Sequence, residues 1–134
     1  MVEPYYETWA ATVAAKGVYV SDLPDWVRNW MTWMRFAYAS SFWFAWSRVE
    51  ARWALTVGIS TLYVATGLAY FVGWGLLWGS VHILLWTPLM IYLFLRRGAF
   101  NMNDAYSIWL HGLMTTIFVS LIFDIRDVFL YFSA

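Results

Sequence analysis

The chain has 134 residues, of which 63% are hydrophobic, 22% are aromatic and 12% are charged. A soluble domain carries about a quarter charged residues, so this composition argues against a water-exposed fold and favours an all-α bundle in lipid. Eight basic and eight acidic side chains cancel, which leaves no net charge to attract nucleic acid. The absence of cysteine excludes disulfides and thiolate metal sites.

Residues 1–23 are predicted to form an interfacial segment, because their apolar run is too short to cross a bilayer. A helix is predicted over 24–47, but Arg28 and Arg35 interrupt its apolar pattern. Two interpretations stay open for this helix. It crosses the membrane with Arg35 facing the bundle interior, or it lies at the interface as an amphipathic helix.

The middle of the chain, from Trp53 to Leu95, contains no Asp, Glu, Lys or Arg. As one helix it would be roughly 65 Å long, about twice the ~30 Å hydrocarbon thickness of a bilayer. The sequence therefore predicts a hairpin of two transmembrane helices, 53–72 and 78–95, reversing at a glycine-rich turn.

Small residues on the first arm of this hairpin favour close helix packing. Gly58 and Gly67 are the predicted contact positions, because a missing side chain lets a neighbouring helix approach in lipid.

A last helix is predicted over 105–127, after a loop in which Asn103 or Asp104 caps its first turn. The whole chain, 1–134, then forms a single polytopic membrane helical bundle with four transmembrane helices. Three transmembrane helices plus an interfacial helix are the alternative.

Orientation follows from the basic residues beside the short loops. Arg48 and Arg52 lie in one turn and Arg96 and Arg97 in another, two spans further along, so both turns face the same side. The positive-inside rule predicts that this side is cytoplasmic and that the chain is a multi-pass protein of the cell (plasma or inner) membrane.

The remaining charges suggest a network inside or beside the membrane. Counting residues puts Arg28 level with Asp124 and Asp127, with Arg126 between the two acids and Arg35 deeper. One interpretation is a charged cluster at the mouth of a water-filled path. The other is that these groups lie at the headgroup boundary and fix the helix ends.

Two histidines, His82 and His111, raise the question of a haem with two axial ligands. Their predicted depths are roughly 21 Å and 9 Å from the cytoplasmic boundary, too different for one iron within one chain. No cofactor and no metal site are therefore predicted. Hydrogen bonding inside the bundle, a proton relay, a quinone contact or a haem shared between copies remain open for these rings.

The sequence contains no phosphate cradle, nucleophile elbow or catalytic carboxylate pair, so an enzyme is not expected. The first functional hypothesis is a self-associating channel or transport path for ions, protons or small solutes. The residues expected along it are Arg35, His82, His111, Asp124 and Asp127. The alternative is a non-catalytic structural or accessory subunit of a larger membrane complex, in contact with quinone, haem, pigment or lipid.

Overall fold

The computed structural model describes residues 4–98 and 103–133, and all regular structure within them is helical. Long apolar runs form helices here because a helix satisfies its own backbone hydrogen bonds, as a lipid surrounding requires. The helices are α1 (Trp9–Ser21), α2 (Asp25–Ala39), α3 (Phe42–Ala45), α4 (Val49–Val72), α5 (Gly79–Arg96) and α6 (Ala105–Ser133), with a 3₁₀ turn at Leu76–Trp78 before α5.

Among the described residues, three helical segments are long and apolar enough to cross a membrane. They are Val49–Val72, Leu76–Arg96 and Ala105–Ser133. The all-helical, multi-pass architecture expected from the sequence therefore agrees with the structure. The predicted hairpin arms and last helix correspond to these segments, although α6 continues past 127 to Ser133.

The predicted helix over 24–47 is divided in the structure. α2 ends at Ala39, where the Ser40 hydroxyl donates a hydrogen bond to the carbonyl oxygen of Ala37 at 2.6 Å. Such bonding by serine offers the backbone an alternative to continuing the helix. The short α3 then leads into the turn before α4.

The hairpin reverses at Gly73, which ends α4 with a φ of 82°. This left-handed conformation is open to glycine without a steric penalty. At the start of α6 the Asp104 carboxylate accepts a hydrogen bond from the Tyr106 amide at 3.0 Å, so the predicted cap is confirmed for Asp104. Residues 1–3 of the predicted interfacial segment, residues 99–102 of the predicted loop and residue 134 lie outside the described residues.

The core lies between α5 and α6, with α2 and α4 packed against it. Large aliphatic side chains fill it, and most of them have less than 5% of their surface exposed: Leu89, Leu93, Leu110, Leu113 and Ile117. The outer surface is also apolar, and side chains such as Leu84 (73% exposed) and Leu95 (75% exposed) lie on it. Exposed apolar surface on this scale is expected where lipid or another membrane protein is the surroundings.

Candidate functional site

The most unusual group in the described structure is a buried ion pair between the two central helices. His82 on α5 places its Nδ1 atom 3.2 and 3.1 Å from the two carboxylate oxygens of Asp124 on α6. Asp124 has only 8% of its surface exposed. A carboxylate this deeply buried needs a hydrogen-bonded partner, and His82 supplies it.

A glycine at the start of α5 allows the two helices to meet at this level. A Cβ atom added to Gly79 would lie 3.1 Å from both the Cα atom and the carbonyl oxygen of Asp124. Those atoms are backbone and cannot rotate away. Gly79 therefore sets the close approach that brings His82 to Asp124.

Aromatic rings enclose the imidazole of His82. It stacks on Trp86 with ring centroids 4.2 Å apart, and Trp86 in turn packs against Tyr38 of α2 at 4.9 Å. Trp78 lies on the other side of His82 at 6.1 Å. The indole nitrogen of Trp86 donates to the hydroxyl of Thr61 at 2.9 Å, which fixes its ring.

Sequence reasoning identified His82 and Asp124 but missed their partners. Trp78, His82 and Trp86 recur at four-residue spacing, which aligns them along one side of α5 and the 3₁₀ turn before it. That spacing was the signal available in the sequence. No sequence pattern pointed to Tyr38, because its position depends on how α2 packs against the core.

The rings of Tyr38, Trp78, His82 and Trp86 together form an aromatic column. Two polar atoms of this column make no hydrogen bond within the described residues. They are the hydroxyl of Tyr38 and the indole nitrogen of Trp78, and both atoms are buried. Each leaves a donor uncompensated at a cost of about 1–3 kcal/mol. The column therefore has spare hydrogen-bonding capacity beside the ion pair.

The arrangement places an imidazole and a carboxylate in contact inside an otherwise apolar interface. Ionisable groups in such surroundings commonly mark a functional site in a membrane protein.

The other predicted charges do not join this pair. Arg28 is paired with Asp25 on its own helix, and Arg126 is paired with Asp127, its neighbour in sequence, at 3.0 Å. Both pairs lie largely on the surface, where an ion pair contributes at most about 1 kcal/mol. The predicted cluster is thus two local pairs beside one buried pair.

The position of Arg35 differs from one of the two predictions for its helix. The crossing interpretation has it facing the bundle interior, but in the structure it lies on the exposed face of α2, with Nε 3.4 Å from the carbonyl oxygen of Met31. The inner face is taken by Ala37 and Tyr38, which pack into the core. An inward arginine would displace those contacts.

His111 lies far from His82. It precedes Asp124 by 13 residues on α6, a separation of about 20 Å along the helix axis. Its Nδ1 atom donates to the carbonyl oxygen of Ser107 at 2.8 Å. The two rings therefore do not face one haem within a single chain, and the described residues bring no three His, Asp or Glu side chains together for a metal ion.

The two glycines predicted to mediate packing occupy different environments. At Gly58 an added Cβ would lie 2.7 Å from Cδ1 of Tyr38, so α2 and α4 touch closely there. At Gly67 the nearest atom is Cζ3 of Trp9 at 4.0 Å, an ordinary contact. Gly58 supports the aromatic column, because Tyr38 continues it to α2.

Helix α1 packs against the end of the bundle that holds the ion pair. The ammonium group of Lys16 lies 5.3 Å from the ring of Trp78, and the indole nitrogen of Trp74 donates to the carbonyl oxygen of Thr12 at 2.8 Å. Burial, and then the charge of Arg35, lower the pKa of Lys16. Burial, and then the charge of Asp127, raise the pKa of Tyr19.

The opposite end of the bundle carries the basic residues of the two turns. Arg96 contacts Glu50 at 3.2 Å, and the guanidinium of Arg48 lies 4.3 Å from the ring of Tyr106. Arg52 donates to the carbonyl oxygen of Ala45 at 2.7 Å. The turns are therefore neighbours at one end, as their two-span separation requires.

Two shallow grooves lie on the surface. One, of about 430 Å³, runs between α2 and α6 and is lined by Trp26, Asn29, Trp30, Val119 and Phe123. The other, of about 270 Å³, lies between α5 and α6 and is lined by Met90, Phe94, Arg97, His111, Met114, Thr115 and Phe118. Both open outward from the bundle.

Comparison of the chain with known protein families, curated proteins and solved structures found no significant match.

Proposed function

We propose that this chain is a small multi-pass membrane protein that serves as a non-catalytic subunit of a larger membrane complex. The observation that carries the proposal is the outward position of Arg35 on α2. In this proposal α2 and α3 pass through the bilayer beside α6, with Arg35 on the outer face of α2 and not towards the bundle interior as the first crossing interpretation had it.

Support for the crossing comes from the contacts between α2 and α6. The indole nitrogen of Trp30 donates to the hydroxyl of Ser120 on α6 at 3.0 Å. The indole nitrogen of Trp33 donates to the hydroxyl of Thr116, also on α6, at 3.0 Å. Trp109 of α6 donates in the other direction, to the hydroxyl of Ser40 at 2.9 Å. Each step along α2 is thus matched by a step back along α6, as in an antiparallel pair.

This register gives Arg35 a depth. Its Cα atom lies about level with residues 114 and 115, about 15 Å from the start of α6 at about 1.5 Å per residue, and its side chain reaches back one turn towards Met31. That is near the middle of a ~30 Å hydrocarbon layer. An arginine facing lipid there costs at least ~2.5 kcal/mol. Cover by another membrane protein would remove this cost.

The interior of one copy argues against a path through it. Leu93, Leu113 and Ile117 fill the space between α5 and α6 and have no more than 2% of their surface exposed. A close-packed aliphatic core leaves no room for hydrated ions. A subunit role needs no such path.

The test is extraction of native membranes in a mild detergent, followed by a mass measurement and an absorption spectrum of the purified assembly. We expect the 15.7 kDa chain to co-purify with different, larger subunits in a fixed ratio. A visible absorption band would identify a haem or pigment among them. A preparation that contains this chain alone would contradict the proposal.

A second candidate, a self-associated proton or ion path, is favoured by the His82–Asp124 pair. Ionisable groups buried in a membrane segment commonly mark such routes. Copies would then be needed to build the path between them. Reconstituted in liposomes, the purified chain should carry a proton flux that Asp124→Asn abolishes and Asp127→Asn preserves. Liposomes that stay silent with folded protein would exclude this candidate.

In both candidates the chain lies in the cell membrane, with lipid and neighbouring protein as its partners. The turns that carry Arg48, Arg52, Arg96 and Arg97 would face the cytoplasm. Support for this orientation is the shared position of these arginines at one end of the bundle.

A further inference from the structure

We propose that the exposed polar face of α2 docks against a transmembrane helix of a different protein, and that this helix carries an Asp or Glu near the level of Arg35. This face, the polar stripe, consists of Arg28, Asn29, Thr32 and Arg35. The inference rests on the proposed subunit function, and it adds the surface and the chemistry of the partner.

The polar stripe is one continuous side of a helix. Arg28, Thr32 and Arg35 follow at four- and three-residue intervals, which aligns them along α2, and all are exposed. The opposite side of α2 carries Trp30, whose indole bonds to α6, and Tyr38, which enters the core. Helix α2 therefore turns the polar stripe outward, next to the ring of Phe36, which is 71% exposed.

A groove on the flank of α2 that faces α6 can accept a neighbouring helix. Asn29, at one edge of the stripe, forms part of its wall together with Trp26, Trp30, Val119 and Phe123. Ridges of side chains on one helix pack into grooves of another, so an apolar groove of about 430 Å³ suits the side chains of a neighbouring span. The groove supplies contact area, and the stripe supplies specificity.

Arg35 defines the charge that the partner must carry. Arg28 already has Asp25 as its partner. Arg35 reaches the carbonyl oxygen of Met31 at 3.4 Å, and among the described residues no carboxylate pairs with it. A carboxylate at the same depth would form a charge-assisted hydrogen bond in a low-dielectric setting, where such bonds are strong.

A second copy of this chain does not supply that carboxylate. The acids of the apolar helices in the described structure are already paired: Asp124 with His82, Asp127 with Arg126, and Glu50 with Arg96. All three lie towards the ends of the bundle, whereas Arg35 lies near its middle. Two copies meeting through the polar stripe would also set Arg35 against Arg35, which repels.

Photo-crosslinking in native membranes tests the surface directly. The chain has no cysteine, so Thr32→Cys creates one attachment site for benzophenone maleimide. Ile91→Cys on α5 is the matched control, because Ile91 is 56% exposed and lies outside the stripe. We expect the probe at position 32 to join this chain to one membrane protein, and the probe at position 91 to give no such adduct.

Charge exchange tests the chemistry. Arg35→Glu should reduce co-purification of the crosslinked protein at least tenfold, and changing the facing Asp or Glu of that protein to Arg should restore it. Arg126→Glu, a reversal outside the stripe, should leave the assembly intact. The thermal midpoint of purified Arg35→Glu should stay within a few degrees of the original, which separates lost docking from lost folding.

Several outcomes would overturn the inference. An adduct of twice the chain mass at position 32 would mean that a second copy covers the stripe. An adduct with lipid alone would also contradict it, and so would a crosslinked helix that carries no Asp or Glu. If the chain still co-purifies with larger subunits in these cases, the inference fails and the proposed function stands. If the original chain co-purifies with no other subunit, the proposed function fails together with the inference.

Discussion

At the residue scale, Asp124 depends on a single imidazole for its stability inside the bundle. We expect His82→Leu to lower the free energy of unfolding by about 3–5 kcal/mol, because it leaves a buried carboxylate unpaired. The double variant His82→Leu with Asp124→Leu should recover most of that loss, since two apolar side chains then pack together. Thermal unfolding in detergent micelles measures both changes.

Asp127→Asn provides the control for this prediction. Its partner Arg126 is a half-exposed neighbour, so the change should cost less than about 1 kcal/mol. A double leucine variant no more stable than either single variant would contradict the interpretation of the pair.

The contact between Gly58 and Tyr38 makes a second prediction. Gly58→Ala should destabilise the protein by about 1–3 kcal/mol, because the new methyl group would meet the buried ring of Tyr38, which is held against Trp86. Gly112→Ala on α6 is the matched control, since an added Cβ there has no neighbour within 4 Å. It should be neutral or stabilise the helix by up to about 1 kcal/mol. Equal effects of the two alanines in the same micelle assay would argue against the close approach.

At the element scale, the register of α2 on α6 can be tested by cysteine pairs in the otherwise cysteine-free chain. Trp33→Cys with Thr116→Cys should be joined by a short bifunctional thiol reagent, because the original side chains share a hydrogen bond at 3.0 Å. Trp33→Cys with Ile108→Cys should not, since position 108 lies about 12 Å further along α6. Gel mobility after treatment of membranes distinguishes them, and equal joining of both pairs would contradict the register.

The elements differ in how far the sequence could predict them. The hairpin of α4 and α5 follows from a charge-free run too long for one span, so its existence and approximate ends are visible in the residues alone. The division of 24–47 into α2 and α3 is not, because it depends on Ser40, which bonds to both Ala37 and Trp109. The bond to Ala37 is local and competes with the helix, but the bond from Trp109 exists only once α6 packs beside α2.

The candidate site was predictable in its members but not in its pairing. The sequence pointed to no carboxylate partner for His82, yet its side chain meets Asp124 because Gly79 lets α5 approach α6. Residue counting put Arg28 level with Asp124, but Asp25 on the same helix lies closer to it. Both pairings depend on the direction of the side chains and on the contacts between helices, and counting residues along the chain gives neither.

At the scale of the whole molecule, the need for a protein partner depends on how the first third of the chain meets the bilayer. α2 carries four outward polar side chains and still packs along α6 through hydrogen bonds from Trp30 and Trp33. If α2 and α3 cross the membrane, Arg35 lies at mid-depth and needs a protein neighbour. If they lie at the surface, Arg35 faces water and needs none.

Side-specific labelling decides between these two arrangements. Single cysteines replace Asp22 before α2 and Ser47 after α3, two exposed positions, in sealed vesicles of known orientation treated with a membrane-impermeant maleimide. We expect the two positions to be labelled from opposite sides of the membrane. Labelling of both positions from the same side would contradict it.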